Sequence, residues 1–287
     1  MHFSPASQTF YSQRLRLHYT DWGNEQAPTL LLVHGIQDHC RSWDQLAMAF
    51  AEDYHVVVPD LRGHGDSEWL RGSGYHYLDY IYDLHQLIQQ RKLGPVALVG
   101  HSMGGAIAGF FSGIYPELVA KLILIEGIGL WRSMQPAVAV QQRARNWVQT
   151  TQALAARAPR RYPSLDEAHQ RMRRANPQLS ETQALHLTRH GAMQMEDGSY
   201  SWKYDNYTHH FSPDSFSTEE MIELWQHIDC PVQLINADGG LPHRTGQDDT
   251  QRYFRDSEQV LIEGAGHWTF HDQEAAVVAH MKPFLAR

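Results

Sequence analysis

Gly100-His101-Ser102-Met103-Gly104 places a serine between two glycines in the pattern G-x-S-x-G. An apolar run, Pro95 to Val99, precedes it, and the small, apolar stretch Met103 to Tyr115 follows. A serine hydroxyl is a weak nucleophile at neutral pH and needs a neighbouring base. A buried strand that turns sharply into a helix would present such a hydroxyl at its apex. The glycines would keep neighbouring chains from colliding at that turn. The helix behind Ser102 would offer free N–H groups and the positive end of its dipole. The base is read as His267, in the loop Gly264-Ala265-Gly266-His267-Trp268 after the last apolar run. The chain has 19 histidines, so position selects His267, and residue type does not. His101 is expected to be a structural neighbour of Ser102, because consecutive residues at such a turn point differently.

Two further parts are needed for acyl transfer. An oxyanion requires backbone donors, and loss of one such donor typically costs about 10²–10³-fold in rate. The N–H groups of Ile36, in His34-Gly35-Ile36, and of Met103 are the candidates. A carboxylate must hold the histidine tautomer and balance its charge. Glu126, in Leu124-Ile125-Glu126-Gly127, and Asp238, in Asn236-Ala237-Asp238-Gly239-Gly240, both end apolar runs. Both are expected at the carboxyl edge of a sheet, where function collects in open α/β folds. This chemistry calls for no metal and no organic cofactor.

The elements that must position these groups follow from apolar periodicity. Arg14 to Asp21 alternates, with Leu15, Leu17 and Tyr19 on one face, as in a half-buried antiparallel strand. Short apolar runs at Thr29 to Val33, His55 to Pro59, Pro95 to Val99, Leu122 to Ile125, Val232 to Ile235 and Gln259 to Ile262 read as buried strands. Leu78 to Leu93 spaces Ile81, Leu84, Leu87 and Ile88 by threes and fours, one helical stripe. Ala275 to Leu285 reads as a closing helix. The alternation predicts an α/β fold, with a mostly parallel sheet and helices on both faces. From about Leu130 to Trp225 no buried-strand run appears, and eight arginines fall between Arg143 and Arg174. We read 130–225 as a helical cap inserted between two core segments, 1–129 and 226–287. The arginines are expected on the solvated face of the cap helices.

Composition bounds the function. The 287 residues contain 42% hydrophobic and 20% charged side chains, with a formal charge of −8. That acidity argues against a general nucleic-acid partner. Cys40 and Cys230 are read as reduced thiols, since two distant cysteines make neither a disulfide framework nor a metal-ligand pattern. No basic start followed by an apolar run suggests a signal peptide, and no apolar run approaches the ~20 residues of a membrane span. A cytoplasmic protein acting on a small molecule is the expectation.

His34-Gly35, the turn from Asp60 to Ser67, the Gly100 to Gly105 segment and Gly266-His267, in this order, resemble the α/β-hydrolase superfamily. Leu124-Ile125-Glu126-Gly127, Ala175-Asn176-Pro177 with Leu179-Ser180, and Trp202-Lys203-Tyr204-Asp205 are similar to the serine hydrolase-like proteins and their bacterial relatives. In many superfamily members the acid ends a Gly-x-x-Asp loop after the later strand. That place is Gly240 here, with Asp238 two residues early. Other members carry it after the earlier strand, where Glu126 stands, so the resemblance favours Glu126 as acid with Asp238 as the alternative. It implies a carboxylic-ester hydrolase that forms an acyl-enzyme. It leaves a carbon–carbon bond hydrolase of a diketone-like substrate, or a non-turnover ligand-binding protein, as alternatives. A serine nucleophile argues against epoxide and haloalkane chemistry, whose relatives attack through a carboxylate.

Overall fold

A computed structural model describes residues 4–72, 75–130, 138–210 and 215–287. The chain opens with strands β1 (Ala6–Ser12), β2 (Leu15–Asp21) and β3 (Thr29–Val33). A 3-10 turn at Cys40–Trp43 leads into helix α1 (Asp44–Phe50), followed by β4 (His55–Pro59) and α2 (Tyr77–Arg91). Next come β5 (Val96–His101), α3 (Met103–Ile114) and β6 (Val119–Ile125). Helices α4 (Val140–Ala155), α5 (Leu165–Ala175) and α6 (Glu181–Gly191) fill the following segment. It continues with a hairpin of β7 (Ala192–Gln194) and β8 (Tyr200–Trp202), then α7 (Thr218–Gln226). The chain closes with β9 (Val232–Ala237), β10 (Ser257–Ile262), α8 (Thr269–Asp272) and α9 (Glu274–Ala286).

Eight strands form one sheet in the order β1-β2-β4-β3-β5-β6-β9-β10. β1, β2 and β4 pair antiparallel, and every other neighbouring pair is parallel. β3, β4 and β5 are buried along their whole length. That is why they read as continuous apolar runs, since helices cover both faces of a parallel sheet. On one face Tyr80, Leu84 and Ile88 of α2, Phe110 and Phe111 of α3, and Trp225 of α7 share a core. On the other, Leu46 and Phe50 of α1 meet Val277, Met281 and Phe284 of α9. The α2 stripe is the expected one, and Lys92 in the left-handed region (φ 55°) ends that helix.

Three departures from the sequence reading have local causes. β1 was not expected, because Ala-Ser-Gln-Thr-Phe-Tyr-Ser is mostly solvent-facing at the sheet edge and shows no apolar alternation. β2 buries four consecutive residues, Leu17 to Thr20, instead of alternating. Its polar face is covered by the Asp60 turn, where Asp60 accepts from His18 Nδ1 (2.7 Å) and Ser67 Oγ accepts from His18 N–H (2.8 Å). The β7–β8 hairpin stands inside the region read as helical. Its strands have three residues each, too short for a two-residue period to register.

The Asp60 to Ser67 turn is held from inside. The Arg62 guanidinium is buried and paired with Asp83 through Nε (2.6 Å) and one terminal nitrogen (2.7 Å), and with Asp79 (3.1 Å). The segment between β6 and β9 carries its own start signals. Ser164 and Ser180 cap α5 and α6 through their hydroxyls, and Ser180 with Gln183 forms a reciprocal capping box. Seven of the eight arginines between Arg143 and Arg174 are exposed and Arg143 is half-buried, as expected. Helix α7 rests on α3, with Trp225 against Gly109 and Leu224 against Gly113. Among the described residues no helix is long and apolar enough to cross a membrane.

Candidate active site

Ser102 stands between β5 and α3 with φ 55° and ψ −119°. A non-glycine residue rarely adopts that region, and it persists only where the surroundings over-determine it. Here they do. Ser102 N–H donates to Ile125 O (3.1 Å), and the Ser102 carbonyl accepts from Gly105, Ala106 and Ile128. The first turn of α3 sits directly on the end of β3. A Cβ on Gly104 would lie 2.3 Å from Val33 O and 2.4 Å from His34 O. Only glycine permits that approach.

The structure brings Ser102, His267 and Glu126 into one hydrogen-bonded chain. Ser102 Oγ lies 2.9 Å from His267 Nε2, and His267 Nδ1 lies 3.2 Å from Glu126 Oε2. A carboxylate only accepts, so Nδ1 carries the ring hydrogen. Nε2 is then free to take the Ser102 proton. His267 is partly exposed while Glu126 is fully buried.

Besides His267 Nδ1–H, three donors converge on the Glu126 carboxylate: two backbone N–H groups and one guanidinium. Ala237 N–H donates to Oε1 (2.7 Å) and Leu241 N–H to Oε2 (3.2 Å), while Arg244 Nη1 lies 3.0 Å from Oε1 and 3.3 Å from Oε2. Gly240, where the family resemblance puts the acid in many relatives, is packed against this carboxylate. A Cβ there would fall 2.2 Å from Glu126 Oε2. Arg244 went unnoticed in the sequence, since a lone arginine in a Leu-Pro-His-Arg-Thr loop carries no motif. It is 5% exposed and its partner 0%. Breaking a buried pair from one side leaves an uncompensated charge. Arg244→Met is therefore expected to lower the unfolding free energy by about 3 kcal/mol in urea titrations, whereas an unchanged midpoint would show that the pair contributes nothing.

Asp238 is not brought to the histidine ring. It is exposed, its oxygens accepting from the N–H groups of Gly239 (2.8 Å), Gly264 (3.0 Å) and Ala265 (3.2 Å). Those backbone bonds, Gly264 first, hold its carboxyl below the usual range. Asp238 thus ties down the loop on which His267 sits. His101 supports the same loop. Its Nε2–H donates to the His267 carbonyl (2.8 Å), and the two rings lie 4.8 Å apart. Burial holds His101 well below its ordinary pKa, so it stays neutral beside the His267 ring.

Met103 follows Ser102 directly, and Gly35, the residue before Ile36, packs against it. Met103 is the first residue of α3, where an N–H has no acceptor within the helix. Gly35 lies so close that a Cβ on it would come 3.1 Å from Ser102 Cβ. The buried His34 fixes the next peptide. Leu61 N–H donates to its Nε2 (3.0 Å), so Nδ1 carries the hydrogen and donates to Gly35 O (2.7 Å). In a trans peptide the C=O and N–H point oppositely. Holding Gly35 O therefore directs Ile36 N–H away from His34. Burial lowers the pKa of His34 and keeps that arrangement neutral.

Among the described residues one group could surround an ion: His18, Cys40 and Asp60, all buried. Their atoms are already committed to one another. Asp60 Oδ2 accepts from His18 Nδ1 (2.7 Å) and Asp66 N–H (2.9 Å), Asp60 Oδ1 accepts from Cys40 N–H (2.7 Å), and His18 Nε2 meets Ser7 Oγ (2.7 Å). The cluster ties β1, β2 and the Asp60 turn together. Both cysteines are free thiols, as expected, and burial raises the thiol of Cys40 well above its ordinary value.

A central parallel sheet with a strained serine at a strand-to-helix turn, and a histidine on the loop after the last strand, defines a class of hydrolase. The chain belongs to the alpha/beta hydrolase fold family, whose model matches residues 28–274. It is similar to human "Serine hydrolase-like protein 2", 29% identical over 179 residues, which is 62% of this chain and 57% of the human protein. The zebrafish "Serine hydrolase-like protein" is 25% identical over 77% of this chain and 68% of its own. The match to the human relative thus spans little more than half that protein's length. Among solved structures, a thioesterase domain from the curacin biosynthetic pathway superposes with a TM-score of 0.82 at 25% identity, covering 96% of this chain and 98% of the other. Mouse "Epoxide hydrolase 4" is 36% identical over 39% of this chain and 31% of its own.

Proposed function

We propose that this chain is a serine hydrolase of small carboxylic esters that works through an acyl-enzyme. The observation that carries the reading is the chain of hydrogen bonds from Ser102 Oγ through His267 to Glu126. Ser102 Oγ attacks the ester carbonyl while His267 Nε2 takes its proton. The resulting oxyanion accepts from the N–H groups of Ile36 and Met103. His267 then returns the proton to the departing alkoxide, leaving an acyl group on Ser102. Water, deprotonated by the same nitrogen, attacks that ester and releases the acid. Glu126 holds the tautomer and balances the imidazolium.

In this reading residues 130–225 are the cap over core segments 1–129 and 226–287, and α7 anchors it on α3. Met172, Gly191, Trp202 and Tyr204 face a cleft whose floor is Gln37, Asp38 and Trp268. Trp268 adjoins the base and Gln37 adjoins Ile36, so a substrate held there lies beside the reacting groups.

Serine chemistry weighs against an epoxide substrate. Ring opening by Ser102 would leave an ether that water does not clear, whereas an acyl-serine hydrolyses. An anionic diketone would need a free cation facing the cleft; seven of the eight arginines are exposed, and Lys203, which lines the cleft, is paired with Asp66 (2.7 Å). The thioesterase-domain neighbour, at 25% identity, supports acyl transfer to water in general.

The test is a stopped-flow experiment with p-nitrophenyl esters from acetate to decanoate. The expected result is turnover, with one equivalent of p-nitrophenol released early wherever deacylation is slow, and the acyl group recovered on the Ser102 peptide. Absence of turnover across the whole series would overturn the ester reading.

A further inference from the structure

One buried carboxyl on the wall of the cleft is not used by the mechanism. Asp38 is buried (4% exposed) and lines the cleft between the core and the segment above it. Its Oδ1 accepts from His39 N–H (2.8 Å), but Oδ2 has no partner. The next residue repeats the situation. His39 Nε2 lies 3.2 Å from the Leu187 carbonyl, so Nε2 carries the hydrogen and Nδ1 is a bare acceptor, also without a partner. Burying an acceptor without a donor is costly. Two consecutive residues doing so on the wall of one cleft mark a place where a ligand supplies the donors.

We propose that Asp38 and His39 form an ammonium-recognising end of this cleft, so that the preferred substrates are esters bearing a primary ammonium group. The turnover part of this proposal rests on the ester-hydrolase reading; the binding part does not.

Two of the donors that line the cleft are committed elsewhere. Trp202 Nε1–H donates to Tyr162 Oη (3.1 Å), and Lys203 Nζ is paired with Asp66 (2.7 Å). The Ser42 hydroxyl donates to His39 O (2.8 Å) and also acts on the Asp38 carboxyl, drawing its pKa down. Asp38 Oδ2 and His39 Nδ1 lack donors, and the carboxylate lacks a positive charge to balance it. A primary ammonium has three N–H donors and that charge. Trp202, Tyr204 and Trp268 line the same cleft, and aromatic walls tolerate a cation better than aliphatic ones do.

The site should show a pH signature. Burial outweighs the hydrogen bonds from His39 N–H and Ser42 and, with Asp60 adding a little, pushes the Asp38 carboxyl up from 3.8 to about 7. Burial keeps His39 down at about 4, so it remains neutral across the relevant range. An alkylammonium, with a pKa near ~10.4 like that of lysine, needs the ionised carboxylate. Its affinity should be full above pH 7 and fall as the pH drops through about 7, where a proton takes its place. Because the folded carboxyl holds its proton more tightly than the unfolded one, its ionisation at pH 8 opposes folding, and this penalty fades as pH falls through 7 towards 3.8.

The experiment titrates n-propylammonium and 1-propanol into the protein at pH 8, read by fluorescence of the cleft tryptophans. The expected result is at least about tenfold tighter binding of the ammonium, with a fall in its affinity below pH 7 in the wild type. In Asp38→Asn the preference should collapse to about twofold or less and the pH step should vanish, while Tm at pH 8 rises. Equal binding of the two probes, a preference unchanged in Asp38→Asn, or an Asp38→Asn protein that melts lower at pH 8 would overturn the proposal. For turnover, the kcat/KM ratio of methyl 6-aminohexanoate to isosteric methyl heptanoate should favour the amine in wild type and lose that bias in Asp38→Asn. If neither ester is turned over while the ammonium preference persists, the ester reading fails and the binding site stands.

Discussion

Ser102→Ala is expected to lower kcat on p-nitrophenyl esters by about 10⁶-fold, the size of loss seen when the nucleophile of a serine–histidine–carboxylate enzyme is removed. The substitution deletes only Oγ. Backbone bonds from Ser102 to Ile125, Gly105, Ala106 and Ile128 hold the turn and do not involve the hydroxyl, so alanine should keep the same strained conformation. The folded state should melt at the same temperature or slightly above. What survives is whatever rate Ile36 and Met103 support by polarising the carbonyl towards water. Because the three side chains act as a unit, adding His267→Ala to Ser102→Ala should cost almost nothing more. Steady-state assays of the single and double variants decide this. A Ser102→Ala enzyme keeping more than about 1% of wild-type kcat would remove Ser102 from the mechanism.

Glu126→Gln should be nearly as damaging, with a fall in kcat of about 10⁴-fold. The amide is isosteric, so the fold should persist, but with lowered stability, because the buried Arg244 loses the charge that balances it. Yet its NH₂ can turn towards His267 and favour the tautomer with hydrogen on Nε2, which cannot accept the Ser102 proton. Asp238→Asn makes a similar change, but at a side chain that only receives backbone N–H groups from Gly239, Gly264 and Ala265. It should cost no more than about tenfold, by loosening the loop that carries His267. Kinetics of the two variants side by side test the assignment, and the reverse order of effect would transfer the acid to Asp238.

Much of the architecture was readable because burial on both faces of a parallel sheet leaves a mark in the chain. Leu30 to Val33, Val56 to Val58 and Val96 to Val99 are apolar without interruption, and each lies buried in the sheet. The α2 stripe was readable for a related reason, since one face of that helix meets the core. β1 was not, because most of its side chains face solvent and its pairing with β2 is made by backbone groups that every sequence shares. The same limit applied to the buried face of β2, which depends on a turn some 40 residues away.

The site divides along the same line. Sequence by itself pointed to Ser102 and His267 as candidates, because each depends on a local requirement: glycines that let a strand turn into a helix, and a short glycine-rich loop after the last strand. It also left two carboxylates at two strand ends with nothing local to separate them. Tertiary structure alone decided which one faces the histidine. Glu126 projects from the end of β6 into the space beside Gly240, where Ala237, Leu241 and Arg244 supply donors from the neighbouring β9 side. Asp238 is drawn instead to the backbone of the histidine loop. Arg244, the Gly35 carbonyl held by His34, and the unpartnered Asp38 were equally out of reach of sequence. A charge is compensated, or left wanting, by whatever the fold brings within 3 or 4 Å, and separation along the chain carries no record of that distance.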